Sequence, residues 1–326
     1  MPRLVSVIIP CFNGEHFVGR AINSALSQSY KDIELLLVDN NSTDNTFAVL
    51  KEFEKSHPDK ITVYSEKKKG ACAARNLGLS MAKGDWIQFL DADDELLPLK
   101  IEQQMAVVES KNPDIVIGDY TIFHSVTQKR YADRIAEDDP WLGLINSKLG
   151  RTSANIWRKE SLLKVNGWNE ELSSSQEYDL MFRVFKLNAK VEITHQIQTS
   201  IFAQPDSITK TDNLEKRLKI YLNRYNLRRD IYEFLREHNQ LTPVYKKNIL
   251  VYLYYYLLLI SELDMPFFKA HVKRYDFNEI NALTKFDMLI KFIRHSSKRK
   301  YGLSNIFLKL TEWQVFVFKN IHLLRY

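Results

Sequence analysis

Trp86-Ile87-Gln88-Phe89-Leu90-Asp91-Ala92-Asp93-Asp94 is the stretch that decides the fold. Five largely apolar residues run without alternation, as in a strand covered on both faces, and three carboxylates follow within four residues. An acidic cluster directly after a buried strand puts oxygen ligands at one edge of a sheet.

The same pattern repeats upstream. Leu4 to Pro10 is a short β-branched run ended by proline, and Ile33 to Asp39 is a second apolar run ended by a carboxylate. Ile61 to Ser65 reads as a third strand and Trp86 to Leu90 as the fourth. Between them, His16 to Gln28 places Phe17, Ala21, Ile22 and Ala25 at helical spacing. Ser42 or Thr43 can cap a helix running through Phe53. Ala71 to Ala82 is helical until Lys83-Gly84-Asp85 breaks it. Ile101 to Glu109 is a further helix and Ile115 to Tyr120 a fifth strand. Residues 121 to 158 are less regular; a helix from Gln176 to Leu187 and a strand over Lys190 to Ile193 follow. This alternation predicts an α/β fold with a doubly wound, mostly parallel sheet, followed by a helical C-terminal appendage. The expected division is residues 1–210 and 211–326.

In such sheets ligands bind beyond the carboxyl ends of the strands. The polar residues there are Asn13, Asp39-Asn40-Asn41-Ser42, Glu66 to Gly70, and Asp91-Ala92-Asp93-Asp94. Asp91 and Asp93 can converge on a hard divalent cation, which can neutralise a diphosphate leaving group. Asp39 can accept from a base N–H or a ribose hydroxyl, although Asp39 and Asn40 also suit a turn or cap. Arg75 carries the planar fork that binds oxyanions. Glu177, or Asp179 beside it, can take a proton from an acceptor hydroxyl, and acids at a helix start also favour its dipole.

Other chemistries lack their signatures. There is no GxGxxG after the first strand, no GxxxxGK[ST], no HExxH and no GxSxG. Cys11 and Cys72 form no CxxC pair and no disulfide framework, which fits a reducing, cytoplasmic setting. The opening apolar run is too short for a signal peptide. The longest apolar run, Ile249 to Ile260, has twelve residues, against the roughly 20 that a spanning helix needs.

Taken in order, these segments resemble the family 2 glycosyltransferases of the GT-A fold. Pro10-Cys11-Phe12-Asn13-Gly14-Glu15 with Ala25 to Tyr30 looks like their opening, and Val38 to Asp44 like their nucleotide-binding turn. Gly70 through Arg75 to Leu79 is similar to their central helix, and Phe89 to Asp94 to their DXD segment. Trp168-Asn169-Glu170 with Gln176 to Leu180 resembles the acceptor side. The resemblance spans roughly residues 4 to 210. It implies an inverting, metal-dependent hexosyltransferase that moves a sugar from a nucleotide diphosphate, a UDP-sugar first among them. The acceptor would be a hydroxyl of a glycan or lipid-linked molecule in cell-surface polysaccharide synthesis.

By resemblance, Pro10, Phe12, Asn13, Glu15, Asp39, Asn41, Gly70, Arg75, Asp91 and Ala92 would line the nucleotide-sugar site. Asp93, with Asp91, would hold Mn or Mg, and Glu177 would be the base, with Asp179 as its alternative. Two departures stand out. Gln176 replaces one of the family's frequent acidic pair, and Gln204 stands where many members carry His.

The net charge of +6 is uneven. From Lys210 onward there are 22 Lys and Arg against 11 Asp and Glu, so the preceding residues are net acidic. Arg224, Arg228, Arg229 and Arg236 lie among Leu222, Tyr225, Ile231 and Leu235; Lys298-Arg299-Lys300 precede Ile306 to Leu308 and Trp313 to Phe318. That composition suits either an anionic membrane surface, on the cytoplasmic face, or packing on the catalytic domain or a second subunit as a homodimer. Tyr252 to Tyr256 and the leucines after them read as core. Competing readings are a catalytically idle scaffold of the same fold, a sugar-phosphate nucleotidyltransferase, and a nucleic-acid binder resting on charge alone.

Overall fold

The computed structural model describes residues 3–203 and 211–301, with side chains through residue 292. Two compact units divide them: residues 3–172 with 176–203, and residues 173–175 with 211–301.

The first unit begins β1 (Val5–Cys11), α1 (Val18–Leu26), β2 (Ile33–Asp39), α2 (Thr46–Ser56), β3 (Ile61–Ser65), α3 (Ala71–Met81) and β4 (Trp86–Phe89). It continues β5 (Glu95–Leu96), α4 (Lys100–Lys111), β6 (Ile115–His124), β7 (Arg130–Arg134) and α5 (Pro140–Asn146). A 3-10 turn at Thr152–Ala154 leads into β8 (Ile156–Arg158), α6 (Lys159–Lys164), α7 (Gln176–Phe185) and β9 (Val191–Ala203). The strands lie in the order β3-β2-β1-β4-β8-β6-β9-β5, with β7 hung on β6. β3, β2, β1 and β4 are mutually parallel, as are β6 and β9. The three-residue β8 is antiparallel to both its neighbours, β4 and β6.

Register explains where the site forms. Asp39 pairs with Cys11 on one side and Ser65 on the other, so the first three strands end level. Their Val7, Ile9, Leu35 and Leu37 side chains are wholly buried in one cluster with Ile22 and Ala25 of α1 and Ile101 of α4. α3 covers the strands so closely that a Cβ on Gly78 would lie 2.4 Å from Cγ2 of Ile8. A rigid, doubly covered sheet thus fixes its carboxyl edge.

The architecture is mixed α/β with a helical C-terminal region, as the sequence indicates. Three local expectations are corrected. α2 starts at Thr46, and neither Ser42 nor Thr43 caps it. Both are engaged elsewhere: the Ser42 hydroxyl accepts from Asn13 N–H (3.1 Å), and Thr43 N–H donates to Asn13 Oδ1 (2.8 Å). β6 and β9 run well past Tyr120 and Ile193 because they pair with each other over most of their lengths. The stretch 121–158 holds β7, α5 and β8, elements too short to show periodicity.

The second unit contains α8 (Leu214–Glu237), α9 (Pro243–Ser261), α10 (Met265–His271) and α11 (Ala282–Tyr301). Thr242 caps α9 by accepting from Tyr245 N–H, and Pro243 opens it where its missing N–H costs nothing. Leu253, Tyr254, Leu257 and Leu258 are fully buried, so the apolar run of α9 is core. Among the described residues no helix is long and apolar enough to cross a membrane. Several α8 arginines are spent inside the unit. Arg228 is buried with its guanidinium over the rings of Tyr252 and Tyr256, and Arg229 and Arg236 pair with Asp230 and Glu233. Ile306 to Leu308 and Trp313 to Phe318 lie outside the described residues, as does Gln204.

Candidate functional site

The loop after β1 and the segment after β2 hold each other. Asn13 adopts a left-handed turn (φ 46°) and reaches Ser42 and Thr43; Gly14 N–H donates to the Thr46 hydroxyl (2.7 Å). Glu15 closes the interlock by accepting from Asn45 N–H (2.9 Å). Pro10 lies near the end of β1, opposite Val38, and Phe12 just beyond the strand stands 57% exposed, free to meet a planar ligand. Asn13 and Glu15 therefore shape the loop with the atoms they would otherwise offer to a ligand.

Asp39 sits behind this loop, 7% exposed. Its Oδ2 accepts from Ser42 N–H at 3.4 Å, while Oδ1 is buried without a partner. A buried acceptor left unmatched is costly and asks for a donor. The two asparagines after it are structural. Asn40 bridges Glu66 and Lys68 carbonyls and accepts from Gly70 N–H (2.7 Å). Asn41, left-handed at φ 62°, spends its amide on the carbonyls of Glu66 and Lys67. Gly70 takes φ 128°, a conformation open to glycine, and launches α3.

α3 presents Arg75, 6% exposed, to the end of β4. Its guanidinium donates to Asp91 Oδ1 at 2.6 Å and lies 4.5 Å over the Trp168 ring. Asn76 next to it fixes the Trp168 loop through both backbone atoms of Trp168 and through Glu170. Residues 91–94 turn sharply, with Asp94 N–H donating to the Asp91 carbonyl (3.0 Å). Ala92 is buried at the turn. Three separate elements clamp it. The Arg20 guanidinium of α1 donates to the Asp93 carbonyl and stacks 3.6 Å from the Phe202 ring. Ser153 accepts from Asp91 N–H (3.1 Å) and donates to Asp94 Oδ2 (2.6 Å). Phe202 N–H of β9 donates to Asp94 Oδ1 (3.2 Å). Burial first, and then the charges of Asp91 and Asp93, hold the Asp94 carboxyl well above the usual carboxylate range.

The mutual repulsion of these carboxylates is the electrostatic signature of a place suited to a cation. Among the described residues no three His, Cys, Asp or Glu side chains converge to hold a metal by themselves. A hard cation that shares its shell with substrate phosphates needs only one or two protein carboxylates, and Asp91 and Asp93 fit that role.

Glu177 opens α7, whose Leu180, Met181 and Val184 anchor it in the core. Its Oε1 is buried without a partner. Burial pushes the carboxyl up to about 8; the guanidinium of Arg151 opposes this, the charge of Asp91 adds to it, and Arg75 and the Thr152 hydroxyl oppose it. Asp179 differs: its Oδ2 accepts from Arg183 Nε (2.9 Å), and Arg183 also binds the carbonyls of Val165 and Gly167. Asp179 thereby ties α7 to the Trp168 loop, and Glu177 keeps a free acceptor near Asp91.

Several residues here escaped sequence reasoning. Arg20 sits mid-helix, and Ser153 and Arg151 fall in the irregular stretch, with no motif to mark them. Tyr120 belongs to a strand, and its contact with Arg151 depends on pairings that local sequence does not display.

Comparison with known proteins fits this geometry. Residues 6–167 match the model for glycosyl transferase family 2. Glycosyltransferase GlyG of Streptococcus pneumoniae is 30% identical over 204 residues, 59% of this chain and 68% of that one. A Rickettsia conorii glycosyltransferase is 32% identical over 194 residues, 56% of this chain but only 32% of its own length. Escherichia coli WfgD, a UDP-Glc:alpha-D-GlcNAc-diphosphoundecaprenol beta-1,3-glucosyltransferase, is 39% identical over 122 residues, 37% of this chain and 47% of its own. The match thus spans less than half of two of these relatives. S. aureus TarS 1–349 in complex with UDP-GlcNAc superposes with a TM-score of 0.60 at 16% identity, covering 91% of this chain and 85% of that one. Mannosyltransferase PcManGT from Pyrobaculum calidifontis, with GDP-Man and Mn2+, gives 0.53 at 14%, covering 93% and 89%. At such identities the likeness speaks for the fold.

Proposed function

We propose that this chain, which belongs to glycosyl transferase family 2, transfers a sugar from a UDP-sugar to an acceptor hydroxyl with inversion at the anomeric carbon. The observation that carries the reading is Glu177: a half-buried residue whose Oε1 is buried and unpartnered, close enough to the Asp91 turn to feel its charge. A base so placed takes the acceptor proton as the hydroxyl attacks in line, opposite the departing diphosphate. Asp39 Oδ1 binds the uracil or ribose, and Phe12 and Pro10 cover the nucleotide. Asp91, held by Arg75, orients the ribose and donor sugar. A divalent cation, Mn or Mg, on Asp93 and Asp91 would neutralise the leaving group. The complex of TarS with UDP-GlcNAc and the naming of WfgD support a UDP-sugar, and WfgD supports a lipid-linked acceptor in polysaccharide synthesis. We assign the work to the cytoplasmic face of the membrane, with residues 211–326 as the region that meets the membrane surface or a second subunit.

Calorimetric titration of UDP, GDP and TDP, with Mn and with EDTA, tests the donor site. Metal-dependent binding of UDP that Asp39→Ala or Asp93→Ala abolishes is expected. Folded protein that binds no nucleotide would turn the reading to an idle scaffold.

A further inference from the structure

Most arginines around the site are already spent. Arg75 is committed to Asp91, Arg20 to the Asp93 carbonyl, Arg183 to Asp179 and Arg130 to Asp133. Two are not. Arg151 and Arg134 make no ion pair among the described residues, and both are exposed. They meet at one side chain. Arg134 of β7 pairs directly across from Tyr120 of β6, which puts the two side chains on one face. The Arg151 guanidinium lies 5.8 Å from the Tyr120 ring and acts on its phenol electrostatically. Tyr120 itself is 9% exposed, so the phenol is a fixed floor and the guanidinium groups are its open rim. Arg151 also acts electrostatically on Glu177, and the hydroxyl of Thr152, the next residue, adds to that effect. The rim therefore adjoins the base.

We propose that Arg151 and Arg134 form the subsite for a phosphate group carried by the acceptor, next to the hydroxyl that Glu177 activates. The proposal rests on the glycosyltransferase reading and narrows its acceptor to phosphate-linked sugars. Two planar forks beside one phenol match the several oxygens of a phosphate, and an uncharged glycan would leave both unused. Neither has a carboxylate within ion-pair distance: Asp133 beside Arg134 is held by Arg130 and Thr121, and Glu177 and Asp94 act on Arg151 only from farther away. The diphosphate of the donor is the other source of the same chemistry, and the test separates the two.

Protein saturated with UDP and Mg is titrated with N-acetylglucosamine 1-phosphate and, in parallel, with uncharged N-acetylglucosamine. The phosphorylated sugar is expected to bind at least about tenfold more tightly, as for hydrogen bonds to a charged group. Arg151→Gln and Arg134→Gln should each remove most of that preference, leaving UDP affinity and thermal stability unchanged. Equal binding of the two sugars, or a preference that survives both variants, would overturn the proposal. A parallel loss of UDP affinity would assign the arginines to the donor instead, which also overturns it. Failure of the glycosyltransferase reading looks different: no nucleotide sugar is consumed, while the preference for the phosphorylated sugar persists or vanishes independently.

Discussion

Replacing Glu177 by glutamine should disable the protein and stabilise it at the same time. The carboxyl titrates at about 8 against an ordinary 4.5, chiefly because of burial. That displacement corresponds to about 5 kcal/mol of unfavourable interaction for the ionised form. A folded-state pKa above the unfolded one means that stability is intact below about pH 4.5 and declines as pH rises through 8. At pH 9 nearly all of the cost is present in the wild type and absent in Glu177→Gln, which keeps the shape and cannot charge. For a domain of this size that is on the order of 10 °C in Tm. The assay is thermal unfolding of both proteins in EDTA at pH 4 and pH 9, the two curves nearly coinciding at pH 4 and separating at pH 9. Transfer by the variant should fall by about 10² to 10⁴, as when a general base is removed. The wild-type rate should climb between pH 6 and 8. A cation at Asp91 offsets one of the causes of the shift and moves that limb lower. A variant no more stable than wild type at pH 9 would refute the claim that Glu177 is a desolvated base.

Asp39→Asn should weaken UDP binding at least about tenfold while leaving Tm unchanged or raised, since it replaces a buried, half-satisfied carboxylate by a neutral amide of the same shape; calorimetry and thermal unfolding together check this. Gly78→Ala drives a methyl into Ile8 and should cost about 1–3 kcal/mol in denaturant unfolding. His195 stands between Asp138 at 2.8 Å and Asp119 at 3.2 Å, and an imidazole paired at both nitrogens to carboxylates wants both protonated. The hydrogen bond to Asp138 is the main cause of its raised pKa, burial opposes it and Asp119 adds to it, so its contribution to stability is present at acid pH and is lost above the ordinary histidine range. NMR titration of the ring should show this, and His195→Gln should remove the dependence.

How much was legible in the sequence can be followed residue by residue. Leu35-Leu36-Leu37-Val38 announces a strand buried on both faces because hydrophobic period is a local property, and the carboxylate of Asp39 marks its end; that this carboxylate is itself buried only packing shows. The same logic located Asp91 and Asp93, and Glu177 at a helix start. Gln176 and Gln204 stand out only against the family that the motifs resemble, not from any local pattern. Local pattern could not tell which of two neighbouring acids keeps a free oxygen. Asp179 loses its freedom to Arg183 one helical turn on, a pairing visible in the spacing, but Glu177 gains its raised pKa from burial that only packing confers.

The sequence by itself determined the alternation of strands and helices, the edge on which the acids gather, and the kinship those acids imply. Tertiary structure alone decided that β8 slips antiparallel between β4 and β6, since three residues carry no period and their pairing is set by strands far away in the chain. That insertion brings the 3-10 turn just before it, with Ser153, against the Asp91 turn, and positions Thr152 and Arg151 by Glu177. Hydrogen bonds between residues some 60 positions apart depend on distance in space, and distance in space is what a linear pattern does not encode.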